Sequence, residues 1–193
     1  MITPPERSDA RDAVINAVLP LVPELGWTCA ALRQASPNGD LLFPGGSGEL
    51  VEAYLDLLDR RMALNAAPLL SNQRLPARVR SLIAARLALT DAHRPALRRA
   101  ALVLADPTQA PRAARCAART VDAIWHAAGD TSADFSWYTK RAMLGVVYAS
   151  TMLYWLNDAI TEETALAFLD RRLAGIARVT KLRRRLTGGR AAA

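Results

Sequence analysis

Residues Gly129 to Leu156 read GDTSADFSWYTKRAMLGVVYASTMLYWL, and the fold turns on how that stretch is interpreted. Lys140 and Arg141 are its only cations, and the fifteen residues from Ala142 to Leu156 carry no charge. The run predicts a helix from about Asp134 to Asn157. A helix that is apolar all round is buried on most sides. It falls short of the ~20 apolar residues that a membrane span needs. Its side chains suit a central core helix. Flexible Met beside Tyr and Trp equally suits the wall of a cavity for a greasy ligand, and periodicity does not separate the two. Just before it, Ile124, Trp125, Phe135, Trp137 and Tyr138 crowd large side chains around a turn, as core or as interface anchors.

Working outward, strong helix formers dominate and two-residue alternation is nearly absent, so helix is expected throughout. Ser8 caps a first helix ending near Leu19, with Pro20 and Pro23 closing it. Thr28 caps a short helix ending near Ala35. Ser36 to Gly46 reads as a loop, and Ser47 as the cap of a helix running to about Ala66. Further helices are expected over Leu75 to Thr90, Arg94 to Leu104 and Gln109 to Ala128. The last follows Thr161, with Leu166, Leu169, Leu173, Ile176 and Val179 along one face.

The chain has 193 residues and a net charge of +7. Eight Lys and Arg follow Asp170 with no acid among them, so the basicity belongs to the C-terminal segment and the remainder is slightly acidic. Glu6, Asp9 and Asp12 argue against a secretory or transit peptide, and a cytoplasmic protein is expected. Cys29 and Cys116 match no metal spacing, and the two histidines, His93 and His126, lack the ligands of a zinc or di-iron site. Asp122 and His126 could pair on a helix surface. No catalytic residues, metal or cofactor are expected.

Short helices ahead of a longer helical body resemble a helix-turn-helix module on a ligand-binding domain. The chemistry of the third helix opposes DNA binding. Glu49, Glu52, Asp56 and Asp59 share one face, an acidic stripe that phosphates would repel, and no Lys or Arg lies between Gln34 and Asp59. Gly45-Gly46-Ser47-Gly48 leads into Glu49 where a phosphate loop needs Lys, so it is the flexible entry to a helix.

Three segments together, GWTCAALRQA (Gly26 to Ala35), LFPGGSGELVE (Leu42 to Glu52) and GDTSADFSWYTKRAMLGVVYASTMLYWLND (Gly129 to Asp158), resemble the Coq-nine family, lipid-binding accessory proteins of ubiquinone biosynthesis. FLDRRLAGI (Phe168 to Ile176) fits it too. The resemblance implies an all-α, TetR-like domain of about nine helices with a vestigial N-terminal helix-turn-helix, usually dimeric and without nucleic-acid binding. Residues 1–66 would form the vestigial region, 67–186 the lipid-binding and dimerisation region, and 187–193 a disordered tail. It implies a pocket for isoprenoid quinone intermediates or other lipids, for which Met143, Leu144, Val147, Tyr148, Met152, Tyr154 and Trp155 are the expected wall. It also implies docking of the demethoxyubiquinone hydroxylase through Asp134, Trp137, Tyr138 and Arg141, with Lys140 beside them. Lys181, Arg183, Arg184 and Arg185 are expected either to touch the inner face of a bacterial membrane or to form a solvated helix end.

Overall fold

The structure is a computed structural model that describes residues 3–130 and 136–188, without the side chains of 136, 137, 177 and 179–188. Among the described residues ten α-helices follow one another and there is no strand. They are α1 (Asp9–Val18), α2 (Val22–Leu25), α3 (Cys29–Ala35), α4 (Gly39–Leu42) and α5 (Gly46–Leu70), then α6 (Leu75–Thr90), α7 (Arg94–Leu104), α8 (Ala110–Ala128), α9 (Ser136–Trp155) and α10 (Glu162–Gly188).

Two of the expected caps form. Ser8 accepts a hydrogen bond from the Arg11 amide, and Thr28 accepts one from Ala31, each satisfying an amide that the first helical turn leaves open. The first helix ends at Val18, one residue from the expected end, just ahead of Pro20 and Pro23. Each lies in the first residues of a further short turn, where proline's missing N–H costs nothing, and Gly26 at φ 70° ends the run. The expected loop over residues 36–46 contains the one-turn helix α4. Ser47 does not cap α5. That helix begins two residues earlier than such a cap implies, at Gly46 after Gly45, and the Glu49 carboxylate folds back to accept a hydrogen bond from the Gly45 amide at 2.6 Å. It also runs through Pro68 to Leu70, beyond the expected end at Ala66. The helix expected from Asp134 begins its described part at Ser136, and α10 continues to Gly188, past the expected start of a disordered tail at residue 187. Residues 189–193 lie outside the described residues.

Two apolar clusters form the core. One joins α1 and α3 to the first half of α5, to α7, and to Met152 and Trp155 at the end of α9. The other gathers Met62 and Ala66 of α5, Leu82 and Ile83 of α6, Ile124 of α8, Leu144 and Val147 of α9 and Leu169 of α10. Tyr148 packs against both. Trp27 ties the N-terminal helices to the body by donating its indole N–H to the Ala96 carbonyl at 2.9 Å.

The acidic stripe of α5 does not face solvent. Glu52, Asp56 and Asp59 are buried, because arginines from other elements meet them inside. Arg11 of α1 reaches Glu49 at 2.6 Å, while Arg112 and Arg119 of α8 hold Glu52 at 2.9 and 2.7 Å. Asp56 takes Arg7 at 2.6 Å and Arg60 at 3.1 Å, and Asp59 takes Arg86 of α6 at 2.5 Å. The spacing that put the four carboxylates on one face is correct, but the face is internal. The repulsion expected between this stripe and phosphates therefore falls away. What stands against a recognition helix here is the missing cations and the single turn of α4.

Arg60 also grips Asp12 through two hydrogen bonds of 2.7 and 2.8 Å, which hold the Asp12 carboxyl below its ordinary 3.8. A depressed carboxylate stabilises the fold above its unfolded pKa, and that contribution is lost as pH falls through the folded value. Asp12→Asn is expected to lower stability in urea by about 1 kcal/mol at pH 7. Well below pH 3.8 the two proteins should converge.

Candidate functional site

α9 has two faces. Leu144, Val147, Met152 and Trp155 are buried in the two core clusters, and Thr151 is sealed between them with its hydroxyl on the Val147 carbonyl at 2.8 Å. Tyr138, Val146 and Leu153 are about 70% exposed, with Ala142 and Ala149 exposed between them. The residues expected to form a pocket wall thus divide. Five, Leu144, Val147, Tyr148, Met152 and Trp155, turn inward. Met143 is half-buried, and Tyr154 stacks on Phe168 of α10 at 4.6 Å between ring centroids.

The C-terminus of α9 is fastened by α7. Arg94 lies over the Trp155 ring, 3.3 Å from its centroid, and donates to the Ile160 carbonyl at 2.6 Å. Arg98 donates to the Leu156 carbonyl at 2.7 Å. Cations at a helix C-terminus satisfy open carbonyls and complement the negative end of the helix dipole.

At the other end of α9, Lys140 pairs with Asp130 at 3.6 Å and the Arg141 guanidinium donates to Asp122. Asp122, which the spacing would allow to pair with His126, engages a cation from α9. Among the described side chains of the expected docking group, Tyr138 is exposed and Lys140 and Arg141 are half-buried. Asp134 and the Trp137 side chain lie outside the described residues, as do the side chains of Lys181, Arg183, Arg184 and Arg185.

The sequence reading missed a polar centre between the two apolar clusters. Its signal was present: the buried face of α6 is Val79, Leu82, Ile83, Arg86, Leu87 and Thr90, so Arg86 occupies a core position in a helical three-to-four pattern. Arg86 is 1% exposed. It donates to Asp59 of α5 at 2.5 Å and to the hydroxyl of Tyr148 of α9, and Thr120 of α8 donates to the other Asp59 oxygen at 3.0 Å. Burial pushes Asp59 up to about 6, against the pull of Arg86 and Thr120, which leaves it anionic at neutral pH. Trp155 donates to Thr90 at 3.1 Å nearby.

Cys116 is buried, and burial pushes its thiol up to about 11, which opposes a thiolate nucleophile. Among the described residues no three His, Cys, Asp or Glu converge as metal ligands.

A family model described as COQ9 matches residues 110–180, which span α8, α9 and most of α10. Ubiquinone biosynthesis protein COQ9-A, mitochondrial, of Xenopus laevis is 29% identical over 178 residues, covering 83% of this chain and 56% of the relative. The Homo sapiens protein of the same description, COQ9, mitochondrial, is 27% identical over 175 residues, covering 83% and 55%. The resemblance to the Coq-nine family holds. The chain spans about half the length of the curated relatives it matches. A crystal structure described as the TetR transcriptional regulator from Nitrosomonas europaea ATCC 19718 superposes with a TM-score of 0.70 at 23% identity, covering 88% of this chain and 99% of that one. The fold is TetR-like and all-α.

The Glu52 cluster gives a test of how the COQ9-like segment is held. Glu52→Gln leaves Arg112 and Arg119 without their counter-charge. It should lower stability by about 2–3 kcal/mol in urea unfolding.

Proposed function

We propose that this protein is a non-catalytic lipid-binding accessory protein of ubiquinone biosynthesis, which binds isoprenoid quinone intermediates and presents them to the demethoxyubiquinone hydroxylase. The observation that carries the reading is the similarity, across 83% of the chain, to proteins named for ubiquinone biosynthesis. The apolar inward face of α9 supports it. Each CH₂ removed from water contributes about 0.8 kcal/mol, so a few isoprene units bind tightly in a dry interior and leave a bilayer at a high cost.

The hydroxylase would dock at the start of α9, around exposed Tyr138 with Asp134, Trp137, Lys140 and Arg141. Along the rest of α9, Ala142, Val146, Ala149 and Leu153 recur at three-to-four spacing on the exposed face. That self-complementary apolar strip favours a second copy of the chain, giving a homodimer. Membrane contact would be peripheral, at the inner face, through the basic end of α10. No helix among the described residues is long and apolar enough to cross a membrane.

Organic extraction of the purified protein followed by mass spectrometry should recover an isoprenoid quinone, a precursor of one, or phospholipid. Recovery of no lipid, with none taken up on incubation, contradicts the carrier reading. Tyr138→Ala should weaken capture of the hydroxylase by about tenfold while lipid content is unchanged. A TetR-type transcription regulator, the reading that fold alone would suggest, predicts a shifted duplex in a low-salt gel, and none is expected.

A further inference from the structure

Helix α10 carries opposite charges on the two halves of its outward face. Glu163, Ala167, Arg171, Ala174 and Arg178 are all exposed, and their three-to-four spacing sets them in one stripe. Ala165 and Leu169, the buried residues of the helix, lie on the other side. No ion pair joins Glu163, Arg171 or Arg178 to another residue among the described residues. Asp170, the acid nearest the basic half, is taken by Arg80 of α6 at 2.6 Å and leaves that half uncompensated. The guanidinium of Arg171 stands 5.9 Å from the centre of the Phe168 ring, a contact that orients a cation without neutralising it.

An acid and a base placed four residues either side of a small residue make a helix complementary to its own reverse. With two copies of α10 antiparallel about Ala167, Glu163 meets the partner's Arg171 and Arg171 meets the partner's Glu163, each about 6 Å along the axis from the centre. Alanine at the crossing lets the helices approach to about 8 Å. The adjoining helix α9, joined to α10 by the Tyr154–Phe168 stack, carries the exposed apolar residues that a second copy would also cover. An anionic membrane fits the stripe less well, because it attracts Arg171 and Arg178 but repels Glu163 on the same face.

We propose that α10 pairs antiparallel with α10 of a second copy about Ala167, and that the two Glu163–Arg171 contacts between copies fix the register. The inference rests on the homodimer reading and deepens it: apolar surface supplies affinity, and the charge pattern of α10 decides which helix meets which and at what offset. A shifted or parallel pairing sets Arg171 or Arg178 against like charge and is disfavoured.

The test is sedimentation equilibrium of the full chain in low salt, for the parent, Glu163→Arg, Arg171→Glu and the double exchange. Both positions are exposed and joined to no carboxylate or cation of their own chain, so all four proteins should fold alike. Either single reversal turns two attractive contacts per dimer into repulsive ones and should weaken dimerisation about tenfold. The double exchange restores attraction and should return the dissociation constant to within about threefold of the parent. A parent dimer that neither reversal weakens overturns the α10 pairing and leaves a homodimer built on α9 standing. A double exchange as weak as the single variants also overturns the pairing. A parent that stays monomeric contradicts the homodimer reading itself, and the pairing with it. If that monomer then sediments with phosphatidylglycerol vesicles and Arg171→Glu does not, the basic half of the stripe belongs to a membrane surface.

Discussion

Three buried carboxylates, Glu52, Asp56 and Asp59, with the half-buried Glu49 beside them on one face of α5, impose the constraint on which the rest of this molecule is arranged. An ionised carboxylate taken out of water must be met by a cation and by hydrogen bonds, or it destabilises the fold by several kcal/mol. Helix α5 meets that demand along its length. Arg11 comes from α1, Arg7 from the segment before it, Arg86 from α6, and Arg112 and Arg119 from α8. Arginine suits each place because its planar fork matches a carboxylate and stays charged when buried. Helix α5 becomes an axis to which the N-terminal helices and the body are bound separately.

That axis explains how a helix-turn-helix-like N-terminus is held against the helical body. The carboxylates that would otherwise mark the surface are spent inside, and α4 is reduced to a single turn with no cation from Gln34 to Asp59. At the inner end of the same axis, the Asp59–Arg86 pair meets Tyr148 and sets a polar point between two apolar clusters. Helix α9 is held at its start by Lys140 and Arg141, at its middle by Tyr148 and at its C-terminus by Arg94 and Arg98. Its outward strip, Ala142, Val146, Ala149 and Leu153, stays exposed.

The helical fold was legible because its signals are local. Ser8 and Thr28 cap where their short polar side chains suggest, and the apolar spacing located α6, α7 and α8 within a residue or two. Ser47 misled because Glu49 satisfies the open amide at Gly45 and the cap is not needed. The acidic stripe misled for a deeper reason. A three-to-four spacing defines a face but not what lies opposite it, and the arginines that bury this one come from positions up to 67 residues away in sequence. At the candidate site, the inward turn of Leu144, Val147 and Trp155 follows from their type. The division of α9 into a buried and an exposed apolar face does not, since both faces read alike. Arg86 was the readable clue to the polar centre: a cation in a core position of α6 requires a buried partner, and Asp59 occupies such a position on α5.

The most direct test of this architecture is a double-mutant cycle on Asp59 and Arg86, with Asp59→Asn, Arg86→Met and the pair, read by urea unfolding at pH 7. Each single change strands a buried charge or donor and should cost about 3–5 kcal/mol. The double variant should cost well under the sum, with a coupling of about 2–3 kcal/mol. Additive losses would contradict an interior ion pair at the centre of the fold, and single variants as stable as the parent would place both charges in solvent.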